Sequence, residues 1–163
     1  MITLIGDGGH AAVLRDLINL RKRMDKTFAD AEGTIIAVGN NRHRAREVAS
    51  RQGTTYTYLV HPTATVASSA LIGMGTVIMA GAIVQARAVI GQHCILNSGC
   101  TVDHDCVLDD FVHIAPGAHL CGTVKVGEGS LVGVGVGVAP NTTIPPWSLL
   151  KARPLEIAPL ASR

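Results

Sequence analysis

Between Val66 and Leu149 an aliphatic residue recurs at every sixth position. The series runs Val66, Ile72, Ile78, Val84, Ile90, Leu96, Val102, Leu108, Ile114, Leu120, Val126, Val132, Val138 and Ile144, fourteen in one unbroken phase. Six is neither the helical period of about 3.6 nor the strand period of 2; it is the period of a parallel β-helix. The position four residues after each aliphatic is small or β-branched throughout, from Ala70, Thr76 and Ala82 to Thr142 and Ser148. One row of bulky side chains fills a narrow interior while the second row tucks into its corners. Three hexads make a triangular coil, so residues eighteen apart stack at a strand spacing of about 4.8 Å. Stacked coils pair each other's backbone groups and bury each other's aliphatics. The tract has no insertion, which predicts four coils and two thirds of a fifth, without a protruding loop.

The first sixty residues follow a different pattern. Met1–Ile5 reads as a buried strand, followed by Gly6-Asp7-Gly8-Gly9-His10 and a helix from about Ala11 to Leu20 with Val13, Leu14, Leu17 and Ile18 on its apolar face. A second strand is expected at 34–38 and a second helix from Asn41 to Gln52, capped by Asn40 or Asn41. A third strand is expected at Tyr56–Val60, with His61-Pro62 marking the passage into the prism. Strand, helix, strand, helix and strand make a small α/β unit with a parallel sheet. This divides the chain into 1–60 and 61–163.

Composition narrows the functional classes. Only five residues are aromatic, so stacking platforms for single-stranded nucleic acid are not expected. The net charge is +2 and the longest basic run is Arg21-Lys22-Arg23, read as a solvated helix end. No apolar stretch reaches the roughly 18 residues of a membrane span, and Asp7 and His10 interrupt any signal-peptide pattern. A soluble, cytoplasmic protein is expected. Cys94, Cys100 and Cys106 stand six apart at successive corners, out of disulfide reach while the repeat is intact. They also lack zinc-ligand spacing, which leaves them as buried free thiols.

The glycine-rich turn at 6–11 has the form that brings a phosphate to a helix N-terminus. A dinucleotide cofactor is not expected, because no clear second strand ends in an acidic residue about twenty positions on. Asp25, Asp30 and Glu32 lie in a stretch without strand character.

Together, Leu4-Ile5-Gly6-Asp7-Gly8-Gly9-His10, Ile36-Ala37-Val38-Gly39-Asn40-Asn41 and His61-Pro62-Thr63-Ala64 are joined by a central motif. That motif is Leu96-Asn97-Ser98-Gly99-Cys100-Thr101-Val102-Asp103-His104-Asp105-Cys106, followed by Phe111-Val112-His113-Ile114-Ala115-Pro116-Gly117-Ala118. With these stretches the chain resembles, over nearly its whole length, the bacterial sugar acyltransferases that include sialic-acid O-acetyltransferases and UDP-4-amino-sugar N-acetyltransferases. The resemblance implies a Rossmann-like α/β unit followed by a left-handed parallel β-helix. General crossover rules favour right-handed connections, so the hand rests on the resemblance alone. It further implies a homotrimer with active sites between subunits, and acetyl-CoA as cosubstrate in the groove between prisms. His104 would be the general base and Asp105 its carboxylate partner. His113, Gly122, Val134 and Ala152 would line the coenzyme path, with Lys151 and Arg153 near its phosphates. Gly8, Gly9, His10 and Gly39 would hold the nucleotide part of the acceptor. Two departures stand out: the strand that carries paired acidic residues in the family is missing, and the tail at Lys151-Ala152-Arg153-Pro154-Leu155 lacks the usual glycine.

Acetyl transfer from a thioester needs a base that is partly neutral near pH 7, and a histidine with an ordinary pKa of about 6.5 suits it. Strand alternation would send Asp103 and Asp105 to the face opposite His104, although a corner changes that geometry; residue order alone does not say which one meets the ring. Gly122, eighteen after His104, is expected to leave room for the thioester above the base. His93, His43 and His61 are read as structural. The expected reaction is N-acetylation of a nucleotide-linked amino sugar, with O-acetylation of a sugar such as sialic acid as the alternative. A non-catalytic trimeric sugar-nucleotide scaffold is the alternative of another class. Zinc-dependent carbonic anhydrase chemistry on such a prism needs three converging histidines; the spacings His104/His113 and His113/His119 do not provide them.

Overall fold

The computed structural model describes residues 1–24 and 32–152. Asp25, Asp30 and Arg153 lie outside them. β1 (Ile2–Ile5) pairs in parallel with β2 (Gly33–Ile36), joined through α1 (Gly9–Met24). α1 begins earlier and ends later than its hydrophobic stripe suggests. Gly8 O accepts the first helical bond, from Ala12 N at 3.1 Å, and Arg21, Lys22 and Arg23 occupy the last turn, where they complement the helix dipole. Its buried face is Ala11, Leu14, Leu17 and Ile18; Val13, expected there, lies on the flank and is half exposed. α2 (Asn41–Ala49) is capped by Asn40, whose side chain accepts from His43 N at 2.9 Å.

The expected third strand of the α/β sheet divides. Tyr56 forms one parallel bridge to Thr34, whereas Leu59–Val60 joins the prism and pairs with Val77–Ile78. Val60 is in phase with the hexads, so the prism opens one hexad before Val66 and closes with Leu149–Leu150.

The prism is a parallel solenoid of about five turns with three faces. The first face stacks Leu59–Val60, Val77–Ile78, Ile95–Leu96, His113–Ile114, Leu131–Val132 and Leu149–Leu150. The second stacks Thr65–Val66, Ile83–Val84, Thr101–Val102, His119–Leu120 and Gly137–Val138. The third stacks Leu71–Ile72, Val89–Ile90, Val107–Leu108, Lys125–Val126 and Thr143–Ile144. Every pairing joins residues eighteen apart, as the hexad requires. Both expected interior rows are in one apolar core, from Ile78 and Ala82 through Cys94, Cys100 and Cys106 to Val138 and Ile144. The Cys94 and Cys100 thiols are pushed up to about 12 by burial, so they are inert packing groups.

From Gly75 onward each corner turns through a left-handed residue, and the three edges fill that position differently. Between the first and second faces it is Gly81, Gly99, Gly117 and Gly135. Between the second and third it is Arg87, Asp105, Thr123 and Asn141, and between the third and first His93, Phe111 and Trp147 alternate with Gly75 and Gly129. The positive φ is tolerated by residues other than glycine at a cost of about 1 kcal/mol.

The α/β unit sits on the first face, where Ala11, Leu14, Leu17 and Ile18 pack against Leu59, Val77, Met79 and Ile95. α2 runs along the edge between the third and first faces. Asn41 Nδ2 donates to Gly129 O and Ser130 O at 3.0 and 3.1 Å, and the Arg42 guanidinium lies 4.6 Å from the Trp147 ring centroid.

Candidate active site

His104 turns the corner from the second to the third face, with its side chain 53 % exposed. Asp103 is not its ring partner: Asp103 Oδ1 accepts the backbone N–H of His104 at 2.8 Å. Asp105, at φ 59°, reverses the chain direction, so its carboxylate returns along the imidazole and Oδ2 lies 2.8 Å from Nδ1. The left-handed turn therefore overrides the alternation that would send both aspartates away from the ring. One coil below, Arg87 grips the same carboxylate in a fork, with Nε 2.7 Å from Oδ1 and Nη2 2.8 Å from Oδ2. The hydrogen bonds from Arg87, and then from His104, hold the Asp105 carboxyl well below the usual range. An ionised carboxylate only accepts, so Nδ1 carries the hydrogen, and the tautomer that fits has Nε2 as its lone-pair nitrogen.

Gly122 stacks on His104 but leaves no space for a thioester. A Cβ there would stand 2.6 Å from His104 Cε1 and 2.7 Å from Nε2, so the imidazole itself fills the gap. The glycine lets the ring lie against the backbone of the next coil.

The second constellation lies on the α/β unit. Gly8, Gly9, His10 and Gly39 line a cavity of about 720 Å³ together with Gly6, Asp7, Val38, His43 and Glu47. It opens where β1 and β2 end, in front of the α1 N-terminus, and unpaired helix N–H groups there favour an anion. Gly6 is required: at φ 127° its Cβ would lie 2.8 Å from Ala37 O. His113, on the first face, meets this unit. It lies 3.2 Å from Asn97 Nδ2, feels the Gly39 backbone weakly, and feels the charge of Arg44 and of His10. Burial first, then Arg44, lowers both His10 and His113 to about 4.

The remaining coenzyme candidates are spread over two edges. Gly122 stands with His104, whereas Val134 (65 % exposed) and Ala152 lie on or just beyond the glycine edge between the first and second faces. Lys151 is exposed beside Ala152. His119 bonds Thr101 Oγ1 through Nδ1 at 3.0 Å on the second face, away from both His104 and His113. The cradle rests on the first face, and His104 occupies the one edge that the first face does not touch. Within one chain His104 and the glycine-lined cavity are therefore on opposite sides of the prism.

Sequence reasoning missed Arg87 and Arg44. Arg87 was findable, because it stands one coil period before Asp105 at the same hexad position. Arg44 carries no such signal; it is one of four arginines between 42 and 51.

A family model described as "Bacterial transferase hexapeptide (six repeats)" matches residues 69–104. Among curated proteins the chain is 40% identical to the UDP-N-acetylbacillosamine N-acetyltransferase of Bacillus subtilis (strain 168), over 44% of this chain and 48% of that protein. The match thus spans about half the length of that relative. Among solved structures, the acetyltransferase domain of PglB from Neisseria gonorrhoeae FA1090, in complex with acetyl coenzyme A, is 36% identical. It superposes with a TM-score of 0.79 over 91% of this chain and 86% of that one. PerB from Caulobacter crescentus, in complex with CoA and GDP-perosamine, is 30% identical with a TM-score of 0.80, over 91% and 84% of the two chains. With more than four fifths of these relatives covered, and with the hexad prism and α/β unit in common, the chain belongs to the hexapeptide-repeat sugar acyltransferases.

Proposed function

We propose that the protein transfers the acetyl group of acetyl-CoA to the amino group of a nucleotide-linked 4-amino-sugar. The observation that carries the reading is the Arg87–Asp105–His104 chain of hydrogen bonds, which engages Nδ1 and leaves Nε2 of the half-exposed ring as the nitrogen for the acceptor's proton. The acceptor amine attacks the thioester carbonyl and its proton passes to Nε2. The tetrahedral intermediate then collapses, the C–S bond breaks, and the departing thiolate takes the proton from the imidazolium. No covalent acetyl-enzyme is formed. Asp105 stabilises the imidazolium and fixes the tautomer without taking the proton.

In this reading residues 1–60 form a shortened Rossmann-like unit whose Gly8, Gly9, His10 and Gly39 hold the nucleotide. Residues 61–163 form a left-handed β-helix that holds the coenzyme. Because base and cradle lie on opposite sides of one chain, the working site combines the His104 edge of one copy with the first face and α/β unit of the next, in a cytoplasmic homotrimer. The glycine edge supports this arrangement. Its left-handed positions are ones where the other edges carry Arg, Asp, Phe or Trp, so bare backbone there suits the close approach of coenzyme and a neighbouring prism. His113, Gly122, Val134 and Ala152 then line one groove contributed by two copies.

The test is thiol release from acetyl-CoA with UDP- and GDP-linked 4-amino-sugars and with sialic acid as acceptors. Release that depends on an amino-sugar nucleotide is expected, and His104→Ala should lower kcat by at least about a hundredfold with coenzyme affinity nearly intact. Release only with sialic acid would reassign the reaction to O-transfer. Acceptor binding without any turnover would make the protein a scaffold.

A further inference from the structure

Arg44 is the most buried large side chain among the described residues outside the aliphatic core, 1 % exposed, and no carboxylate among those residues pairs with it. Its five hydrogen bonds all end on neutral oxygens. Nε donates to His93 O at 2.8 Å and Nη2 to Phe111 O at 2.8 Å, which are two consecutive coils of one prism edge. Nη1 donates to Val38 O and Gly39 O at 3.0 and 3.3 Å, and Nη2 also donates to Asn41 Oδ1 at 2.9 Å. A structural clamp of this kind has cheaper solutions than a desolvated cation. The placement gives the reason for the charge. Val38 and Gly39 form one wall of the 720 Å³ cavity, and His10 forms another. His113 stands within electrostatic reach of Arg44 and His10. The same guanidinium thus holds the cavity wall, ties it to the prism, and sets the field on the two imidazoles beside it.

We propose that Arg44 is a positioning residue for acetyl transfer: it registers the acceptor cavity against the first face of the prism. Its charge adds to burial, the larger cause, in keeping the His10 and His113 imidazoles neutral. The inference rests on the reading of that cavity as the acceptor site. A neutral His10 leaves the acceptor cavity free of a mobile cation. The groups that face these rings are accounted for. His113 meets Arg44, His10 and the Gly39 backbone from the α/β unit and the neutral Asn97 from the prism. His10 shares its cavity with Asp7, His43 and Glu47, of which Glu47 is paired with His43 and Arg51.

Two variants separate geometry from charge: R44K keeps the cation and loses the planar fork, and R44Q loses both. Steady-state kinetics with the amino-sugar nucleotide and with acetyl-CoA varied in turn, and NMR titration of the His10 and His113 ring protons, are measured on each. Both variants should raise the acceptor KM about tenfold, with a smaller rise in the acetyl-CoA KM, because His113 alone of the coenzyme-lining residues stands beside Arg44. In R44Q alone the two imidazoles should titrate at higher pH than in the wild type. Unchanged acceptor KM in both variants, an equal rise in both KM values, or imidazoles that titrate alike in wild type and R44Q would each overturn the proposal. If R44Q does not fold, R44K decides through its KM split, with its imidazoles expected to titrate as in the wild type. Wild-type protein that turns over no amino-sugar nucleotide would refute the acceptor reading, and the titrations would still decide whether Arg44 sets the imidazoles.

Discussion

At the scale of single residues, the site depends on one left-handed turn and one missing side chain. Asp105 reaches His104 because its φ of 59° bends the chain back, and His104 lies flat because Gly122 has no Cβ. Gly122→Ala should therefore leave the fold intact, since alanine suits that backbone, yet push the imidazole off its seat. A fall in kcat of about tenfold to a hundredfold with an unchanged melting temperature is expected, given the sensitivity of proton transfer to small displacements. Wild-type kcat in that variant would show that ring position does not matter. Arg87→Met tests the fork on Asp105. Without the guanidinium the carboxyl rises toward its ordinary value of about 3.9. The depressed carboxylate stabilises the fold above that value and the contribution fades as pH falls, so the stability difference between Arg87→Met and wild type should exist at neutral pH and shrink in acid. A difference that is independent of pH would exclude the ion pair as its cause. The motif Asp103-His104-Asp105 was legible in the sequence; the choice between the aspartates was not, because it depends on a backbone angle that many residue types adopt at these corners.

At the scale of elements, the junction between α2 and the prism is held by polar contacts and rings rather than by a hydrophobic seam. His93 stacks on Phe111 with centroids 5.4 Å apart and an interplanar angle of 7°, and meets Tyr56 edge-on at 4.5 Å. It is 2 % exposed, its Nδ1 has no partner among the described residues, and its ring occupies the space over Gly75. Burial, then the charge of Arg44, lowers His93 from 6.5 to about 4, with Asp110 opposing. A histidine held neutral in the fold takes up its proton in the unfolded chain first, so stability is complete above pH 6.5 and falls as pH drops toward 4. His93→Phe keeps the stack at a φ that Phe111 already adopts, and it removes the proton-binding group. The variant should lose less melting temperature than wild type between these pH values, as read by thermal denaturation. Identical acid slopes would place the acid-sensitive group elsewhere. The sequence showed α2 and its cap, and it showed the interior rows of the prism, because both follow from spacing. It did not show that Leu59–Val60 leaves the α/β sheet, since a two-residue aliphatic pair fits either sheet equally well and only the phase of Val60 distinguishes them.

At the scale of the whole molecule, the hexad determines almost everything about the prism and nothing about which edge does the chemistry. The three edges share a backbone and differ in one column: glycines on one, Arg87, Asp105, Thr123 and Asn141 on the second, three rings with Gly75 and Gly129 on the third. The ring edge is occupied by α2, which leaves the polar edge and the glycine edge open in one chain. His104 stands on the first of these and the cavity rests against the face between the other two, and the proposed two-copy site rests on that separation. No residue spacing announced it, because it is a property of the closed triangle rather than of any local stretch. The direct measurement is complementation: His104→Ala chains and chains disabled in the cradle by His10→Ala are mixed, unfolded and refolded together. If base and cradle come from different copies, sites that receive an intact residue from each parent re-form, and acetyl transfer should recover to about a quarter of wild type in an equal mixture. Activity no greater than the sum of the two parents would contradict a shared site and confine the chemistry to a single chain.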